Sequence, residues 1–240
     1  VQPKVLGVIP ARFASSRFPA KAIAIIAGKT MLQHVFERAL EARKVHKILI
    51  ATDDERIRDV ALGFGAGVRM TRADHLSGTD RVAEVAAAEE HEIIVNIQGD
   101  EPLIDPAAID LAVEALGDAS MSTLKKRIEE PGEITNPNVV KVVTGLDNNA
   151  IYFSRSPIPY NRGGEVNYFK HIGLYVYQRD FLLGYSAMPV GALEKAERLE
   201  QLRALENGHK IRVMETKYES LGVDTPEDLE RVKVMFGGGA

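Results

Sequence analysis

Short apolar runs alternate with helical stripes from Val5 to Met70, and that alternation most limits how the chain can fold. Val5-Leu6-Gly7-Val8-Ile9 has the length of a buried strand, closed by Pro10. Met31, Leu32, Val35, Phe36, Ala39 and Leu40 recur at helical spacing, with Thr30 placed to cap them. Val45 to Ala51 reads as a second strand. Asp54 then caps a helix carrying Ile57, Ala61 and Phe64, which Gly65 or Gly67 ends. Val68-Arg69-Met70 is a third strand. Strand and helix in this order predict an α/β fold with a parallel sheet covered by helices.

The later chain varies the theme. Val82, Val85 and Ala86 mark a helix, and Glu92 to Gln98 holds a central strand. Asp105-Pro106 starts a helix with Ile109, Ala112, Val113 and Leu116 on its buried face. Met121–Leu124, Val139–Thr144, Ala150–Phe153 and Lys170–Tyr177 read as strands among turns rich in Pro, Asn and Gly. Leu193, Ala196, Leu199, Leu202 and Leu205 predict one helix stopped by Gly208. Ile211 to Glu215 is a strand. Thr225-Pro226 with Asp228 is a near-complete capping signal for a last helix carrying Leu229, Val232 and Phe236. The expected organisation is one domain over 1–236, with a lobe at about 120–190 and a flexible tail at 237–240.

Composition excludes several function classes. With 240 residues and 45% hydrophobic content, the chain can bury a sizeable core. Thirty basic against 34 acidic residues give a net charge of −4, which argues against a nucleic-acid binder. The absence of Cys removes thiol nucleophiles, disulfides and thiolate zinc sites, and fits a reducing compartment such as the cytoplasm. No run reaches the roughly twenty apolar residues of a membrane span, and no secretory leader is visible.

Against that acidic background the stretch from Lys4 to Phe36 holds Lys4, Arg12, Arg17, Lys21 and Lys29 and no acid. A basic loop leaving a buried strand is where an anion docks on an open α/β sheet; a solvated basic turn is the bland alternative. Only Gly7 and Gly28 flank the loop, and neither GxxxxGK[ST] nor GxGxxG is present. Side-chain cations must therefore do the neutralising, Arg12 and Arg17 by bidentate contact and Lys21 as a point charge. Asp100 follows an apolar strand and Asp224 precedes a helix; facing a triphosphate, such a pair suits Mg²⁺. Each also reads as a local turn or cap residue. In TRADHLSGTD, the main chain and the hydroxyls of Thr71, Ser77 and Thr79 suit a base edge. Gln98 ends a buried strand and His171 begins one. His34, His46, His75, His91 and His209 show no metal-ligand spacing.

Seven fragments in register carry a resemblance. They are IPARxxSxRxPxK at Ile9 to Lys21, ATD at Ala51 to Asp53, TRADHxSGTDR at Thr71 to Arg81, and NxQGDEP at Asn96 to Pro102. KHIGLYxY at Lys170 to Tyr177, LEQLR at Leu199 to Arg203 and GVDTPEDL at Gly222 to Leu229 complete the set. Together they resemble the 3-deoxy-manno-octulosonate (Kdo) cytidylyltransferases. The resemblance implies a single-domain, Rossmann-like nucleotidyltransferase fold with a mixed seven-stranded sheet, a homodimer, and formation of CMP-Kdo and pyrophosphate from CTP and Kdo for lipopolysaccharide.

It further implies that Arg12 and Lys21, with Ala11 and Ser15 of the same loop, meet the triphosphate. Thr71, Arg72, Ser77 and Gly78 would line the cytidine pocket, joined by Gln98. Asp100 and Asp224 would hold one or two Mg²⁺ ions. Gln98, His171, Tyr175, Glu200 and Gln201 would lie near the sugar, with Arg17 and Arg155 as partners of its carboxylate or of phosphate. A related acidic sugar, an amino-Kdo or a nonulosonate, and a nucleotide-binding homologue without catalysis stay open as alternatives. The chain departs from the family pattern PGKPL and GKPM at Ala20, Ala22 and Thr30. Ala20 restricts angles a Gly permits, and losing two prolines is expected to loosen the loop.

Overall fold

Four residues of the first strand, β1 (Val5–Pro10), are apolar and buried: Val5, Leu6, Val8 and Ile9. A run without polar alternation is what a strand covered on both faces requires. The computed structural model describes residues 3–14 and 18–237, so Ser15, Ser16 and Arg17 lie outside the described residues. The chain divides into two compact units, Val1–Asp110 with Ser220–Ala240, and Leu111–Glu219.

In the first unit, β1 is followed by a 3-10 turn at Lys21–Ile23 and a small hairpin, β2 (Ile25–Ile26) and β3 (Lys29–Thr30). Ala27 and Gly28 form its two-residue turn, with φ of 46° and 84°. Then come α1 (Met31–Leu40), β4 (Lys47–Thr52), α2 (Glu55–Gly63), β5 (Gly67–Met70), α3 (Gly78–Ala87) and β6 (Ile93–Asn96). The expected caps are present. Thr30 accepts from Gln33 N at 3.2 Å and Asp54 from Arg56 N at 2.9 Å. Thr30 thus supplies a hydroxyl cap where a proline supplies none, so its loss is not a simple loosening.

The four strands are parallel, in the order β6-β1-β4-β5. From β1 the chain winds outward through β4 and β5, then returns to β6 on the other side of β1. The strand order therefore reverses between β1 and β6, and the crevice at their carboxyl ends is the expected ligand position. Gly99 makes this crevice narrow, since a Cβ there would lie 2.8 Å from the carbonyl oxygen of Pro10. α4 (Pro106–Ala115) begins where Asp105 accepts from Ala107 N at 2.9 Å.

The second unit contains β7 (Met121–Arg127), α5 (Pro131–Thr135), β8 (Lys141–Thr144), β9 (Ala150–Ser154) and β10 (Phe169–Gln178). After these come α6 (Arg179–Tyr185), α7 (Ala192–Glu197), α8 (Leu202–Glu206) and β11 (Ile211–Glu215). β7 pairs parallel with β11 and antiparallel with β10, while β8 pairs antiparallel with β10 and β9. Pairing within the second unit is thus of both kinds, parallel and antiparallel. Lys141 is fully buried, and its ammonium donates to the carbonyls of Asn136, Val139 and Arg155 at 2.9, 2.6 and 2.6 Å.

One expectation fails here. The Leu193–Leu205 stripe is not one helix but two, α7 and α8, with Arg198 between them at φ 52°. The reason is a competing set of donors. Arg155 gives Nε to Glu197 O at 2.7 Å and a terminal nitrogen to Arg198 O at 3.4 Å, while Tyr185 Oη donates to Glu200 O at 2.5 Å. The Glu197 and Arg198 carbonyls thus find partners outside a continuous helix, while Glu200 O also accepts from Arg203 N at 3.0 Å.

The last helix, α9 (Pro226–Gly237), returns to the first unit. Its capping box is reciprocal: Asp228 N donates to Thr225 Oγ1 at 3.2 Å and Thr225 N to Asp228 Oδ2 at 3.1 Å. Val223, Leu229 and Val232 pack with Ile26 and Met31, which seats the residue before Asp224 in a core. No helix of the described residues is long and apolar enough to cross a membrane.

Candidate active site

The switch-point crevice opens into a cavity of about 530 Å³ within the first unit. Its wall begins at the end of β1 with Pro10, Ala11 and Arg12 and continues through Lys21 and Ala22 of the 3-10 turn. Gln98, Gly99 and Asp100 come from the segment after β6, and Asp224 from the approach to α9. Ser77 and Gly78 start α3, where Ser77 is the N-cap and accepts from Asp80 N at 3.1 Å. The N-terminus of α3 thus borders the cavity, a position that favours an anion.

Two backbone hydrogen bonds shape the approach. Ala20 N donates to Phe13 O at 2.9 Å and closes the basic loop on itself. Ala20 sits at φ 59°, ψ 16°, the left-handed region. The expectation that Ala20 restricts this turn therefore meets a turn that requires the conformation glycine adopts freely. Val223 N donates to Asp100 O at 2.9 Å, which ties the segment before α9 to the one after β6.

That tie brings the two aspartates to one cation. Lys21 Nζ lies 2.7 Å from Asp100 Oδ2 and 3.0 Å from Asp224 Oδ1, and it also donates to Val223 O at 3.0 Å. Partial burial disfavours charge on this lysine. The Asp100 and Asp224 carboxylates together outweigh that effect and hold its pKa above the ordinary value. A pair of carboxylates gathered around one positive centre is a donor set that fits Mg²⁺, which takes one or two carboxylates and completes its shell with phosphates and water. Among the described residues no group of three or more His, Cys, Asp or Glu is placed to hold a metal.

Eight sequence-derived residues therefore meet at one cavity: Ala11, Arg12, Lys21, Ser77, Gly78, Gln98, Asp100 and Asp224. Thr71 and Arg72 are not among the residues that line it. Thr71 accepts from the Arg81 guanidinium, and exposed Arg72 lies 3.4 Å from Asp74 and 3.8 Å from Glu84. The proposed roles of Ser15 and Arg17 fall outside the described residues. Sequence reasoning missed His75 and Arg81, which also line the cavity. His75 is held by Glu84, and buried Arg81 pairs with Asp53 at 3.3 Å. The available signal was the phase of α3, which turns Arg81 and Glu84 toward the loop before it.

The remaining candidates belong to the second unit. His171 Nε2 lies 2.9 Å from Thr123 Oγ1, and its ring centroid is 5.3 Å from that of Tyr175. Burial pushes the His171 pKa down to about 3 and raises the Tyr175 phenol well above its usual range, so both groups are neutral. Gln201 is buried, and the Glu200 carbonyl is taken by Tyr185. Arg155 also donates to Pro137 O at 2.9 Å, so its guanidinium serves three main-chain carbonyls.

Comparison with known proteins agrees with this geometry. A cytidylyltransferase family model matches residues 6–211. The chain is 70% identical over 238 residues to a 3-deoxy-manno-octulosonate cytidylyltransferase of Solibacter usitatus, covering 97% of this chain and 94% of that one. It is 56% identical to the protein of the same name from Geobacter sulfurreducens, covering 95% and 97% of the two chains. Among solved structures, a CMP:2-keto-3-deoxy-manno-octonic acid synthetase complexed with CTP superposes with a TM-score of 0.95. It shares 43% identity and covers 99% of this chain and 100% of its own.

Proposed function

The chain belongs to the 3-deoxy-manno-octulosonate cytidylyltransferase family, and from that premise we propose that it transfers CMP from CTP to the anomeric hydroxyl of Kdo. The observation that carries this reading is the cavity that gathers Arg12, Lys21, Asp100 and Asp224 at the switch point of the parallel sheet.

The reaction is a direct in-line displacement. The anomeric oxygen forms a bond to the α-phosphorus, the bond to the bridging oxygen of pyrophosphate breaks, and the hydroxyl proton passes to solvent. Asp100 and Asp224 would hold Mg²⁺, which would supply charge screening between nucleophile and phosphate and a lowered hydroxyl pKa. Arg12, and Lys21 once released from the carboxylates, neutralise charge on the departing pyrophosphate. The start of α3 at Ser77 and Gly78 turns the positive end of its helix dipole toward the nucleotide. Thr71, Arg72 and the pairs Arg81–Asp53 and His75–Glu84 hold the loop that frames the cytidine.

Gln98 belongs both to the nucleotide set and to the sugar set that the family resemblance implies. His171, Tyr175, Glu200 and Gln201 form the sugar-reading set that the family resemblance implies. Their neutral ring and phenol suit hydroxyl recognition. Arg155 holds the Glu197 and Arg198 carbonyls, and Arg17 and Arg155 stay the candidates that the resemblance implies for the sugar carboxylate or for phosphate. The enzyme works as a cytoplasmic homodimer, as the resemblance implies, and serves lipopolysaccharide synthesis.

Pyrophosphate release across four nucleoside triphosphates and several acidic sugars tests the reading. CTP with Kdo should turn over fastest. Preference for a nonulosonate or 8-amino-Kdo would change the assigned sugar, and turnover with no pair would remove the activity. In Asp100→Asn, Mg²⁺-dependent turnover should collapse; an unchanged Mg²⁺ dependence would reject the metal assignment.

A further inference from the structure

An ammonium carries three N–H donors. In Lys21 all three are engaged, by Asp100 Oδ2, Asp224 Oδ1 and Val223 O. None is left for a phosphate. The same nitrogen stands within 3.0 Å of one oxygen from each aspartate. A Mg²⁺ ion sharing those oxygens at its usual bond length of about 2.1 Å would share space with it. The two tasks of the site, lysine on phosphate and metal on aspartates, both require this contact to break.

We propose that Lys21 is the resident counter-cation of Asp100 and Asp224 in the nucleotide-free enzyme, and that it exchanges onto the phosphates when metal and nucleotide arrive together. The proposal rests on the reading that these two aspartates hold the divalent cation. The lining gives the exchange its direction. A free divalent ion can take these oxygens only by expelling the lysine into a cavity whose described lining offers it no other carboxylate. With the triphosphate present, the expelled ammonium meets new oxygens and the metal takes the carboxylates. Lys21 is suited to this because its backbone is fixed in the 3-10 turn while its four-carbon stem can swing. Its side chain is 18% exposed, so the new position is reached without unfolding anything. The consequence is reciprocal coupling: nucleotide raises metal affinity by the factor by which metal raises nucleotide affinity.

Arg12 supplies the control. It lines the same cavity, yet among the described residues it makes no ion pair with either aspartate. Mn²⁺ binding is read from the electron paramagnetic resonance signal of the free ion, in the full-length chain, first without nucleotide and then with CTP and no sugar. Without nucleotide, Lys21→Met and Lys21→Gln should bind Mn²⁺ about tenfold or more tightly than the parent, the scale of an interaction lost from a partly buried charge pair. The gain should vanish when Asp100→Asn is added, and Arg12→Met should gain less than about threefold, as expected of a charge acting only through space. CTP should strengthen Mn²⁺ binding far more in the parent than in the Lys21 variants. Lys21→Gln keeps a hydrogen-bonding group between the carboxylates and guards against a folding defect in Lys21→Met. Equal affinities for the parent and both Lys21 variants, or a gain in Arg12→Met that matches theirs, would overturn the exchange. If Asp100→Asn leaves Mn²⁺ binding unchanged even with CTP, the metal reading itself fails and the exchange falls with it.

Discussion

Ser220 Oγ donates a 2.7 Å hydrogen bond to Oε1 of Glu101, the residue that follows Asp100. Glu101 is buried, and three residues beyond Ser220 the amide of Val223 reaches Asp100 O. The pair therefore sets how closely the segment before α9 approaches the one after β6, and with it the gap between Asp100 and Asp224. Removing the hydroxyl in Ser220→Ala takes one donor from a buried carboxylate, at about 1 to 2 kcal/mol in stability. CTP affinity should fall along with the denaturation midpoint, and Ser220→Thr should recover both. A variant with lowered stability and unchanged CTP affinity would confine the pair to folding.

Gly99 has a different constraint. A methyl group there would lie 2.8 Å from the Pro10 carbonyl oxygen, and main-chain atoms cannot step aside as a flexible side chain can. Either β1 or the segment after β6 must shift, and both carry site residues. A displacement of about an ångström is enough to cost roughly a hundredfold in rate. Gly99→Ala should therefore lower kcat/KM by about that factor while circular dichroism stays that of the parent, because the strands themselves are held by their ladders. Full activity in Gly99→Ala would mean that the crevice has slack.

Ala20 lies at φ 59°, where an L side chain is strained by roughly 1 kcal/mol. Replacing it with glycine removes the strain and returns some freedom to the unfolded chain, two effects of opposite sign. The strain is the larger at a left-handed position, so Ala20→Gly should gain about 0.5 kcal/mol. Ala20→Val should lose more than that, since branching at Cβ deepens the clash. Urea midpoints on the three proteins decide the order.

Much of this was legible because it is local. Thr30, Asp54, Asp105 and Thr225 announce helix starts within four residues of themselves, and each caps as expected. β1 could be recognised as buried from its own composition. What was not legible depends on distant partners. The break at Arg198 is made by Arg155, 43 residues earlier. The Lys21 bridge joins residues 79 and 203 positions apart, and no local pattern distinguishes a lysine waiting for phosphate from one holding two aspartates. His75 and Arg81 looked like ordinary members of a polar loop and a helix. Only the packing of α3 and the loop before it against the end of β1 sets them on the cavity wall.

His171 offers a test by pH. Its neighbours are the Thr123 hydroxyl at 2.9 Å and the rings of Phe153 and Tyr175, with centroids 5.1 and 5.3 Å away. Burial alone drives its pKa from 6.5 to about 3. In the unfolded chain the imidazole takes a proton near pH 6.5, and in the folded chain it does not until about pH 3. Between those values the unfolded state binds more protons, so stability rises with pH across this window and falls as the solution is acidified. Above pH 6.5 the group contributes no slope. The full linkage slope is about 1.4 kcal/mol per pH unit, and the partly accessible edge of the residue should hold the observed slope below that. His171→Gln, which keeps a hydrogen-bonding group toward Thr123, should flatten the profile between pH 6.5 and 3 relative to the parent while leaving it parallel above pH 7. The His171 ring-proton resonance should stay fixed from pH 8 to pH 5 for the same reason, so the residue supplies no proton during turnover. A titration of that resonance near pH 6 would show that the ring reaches solvent and would remove the linkage argument.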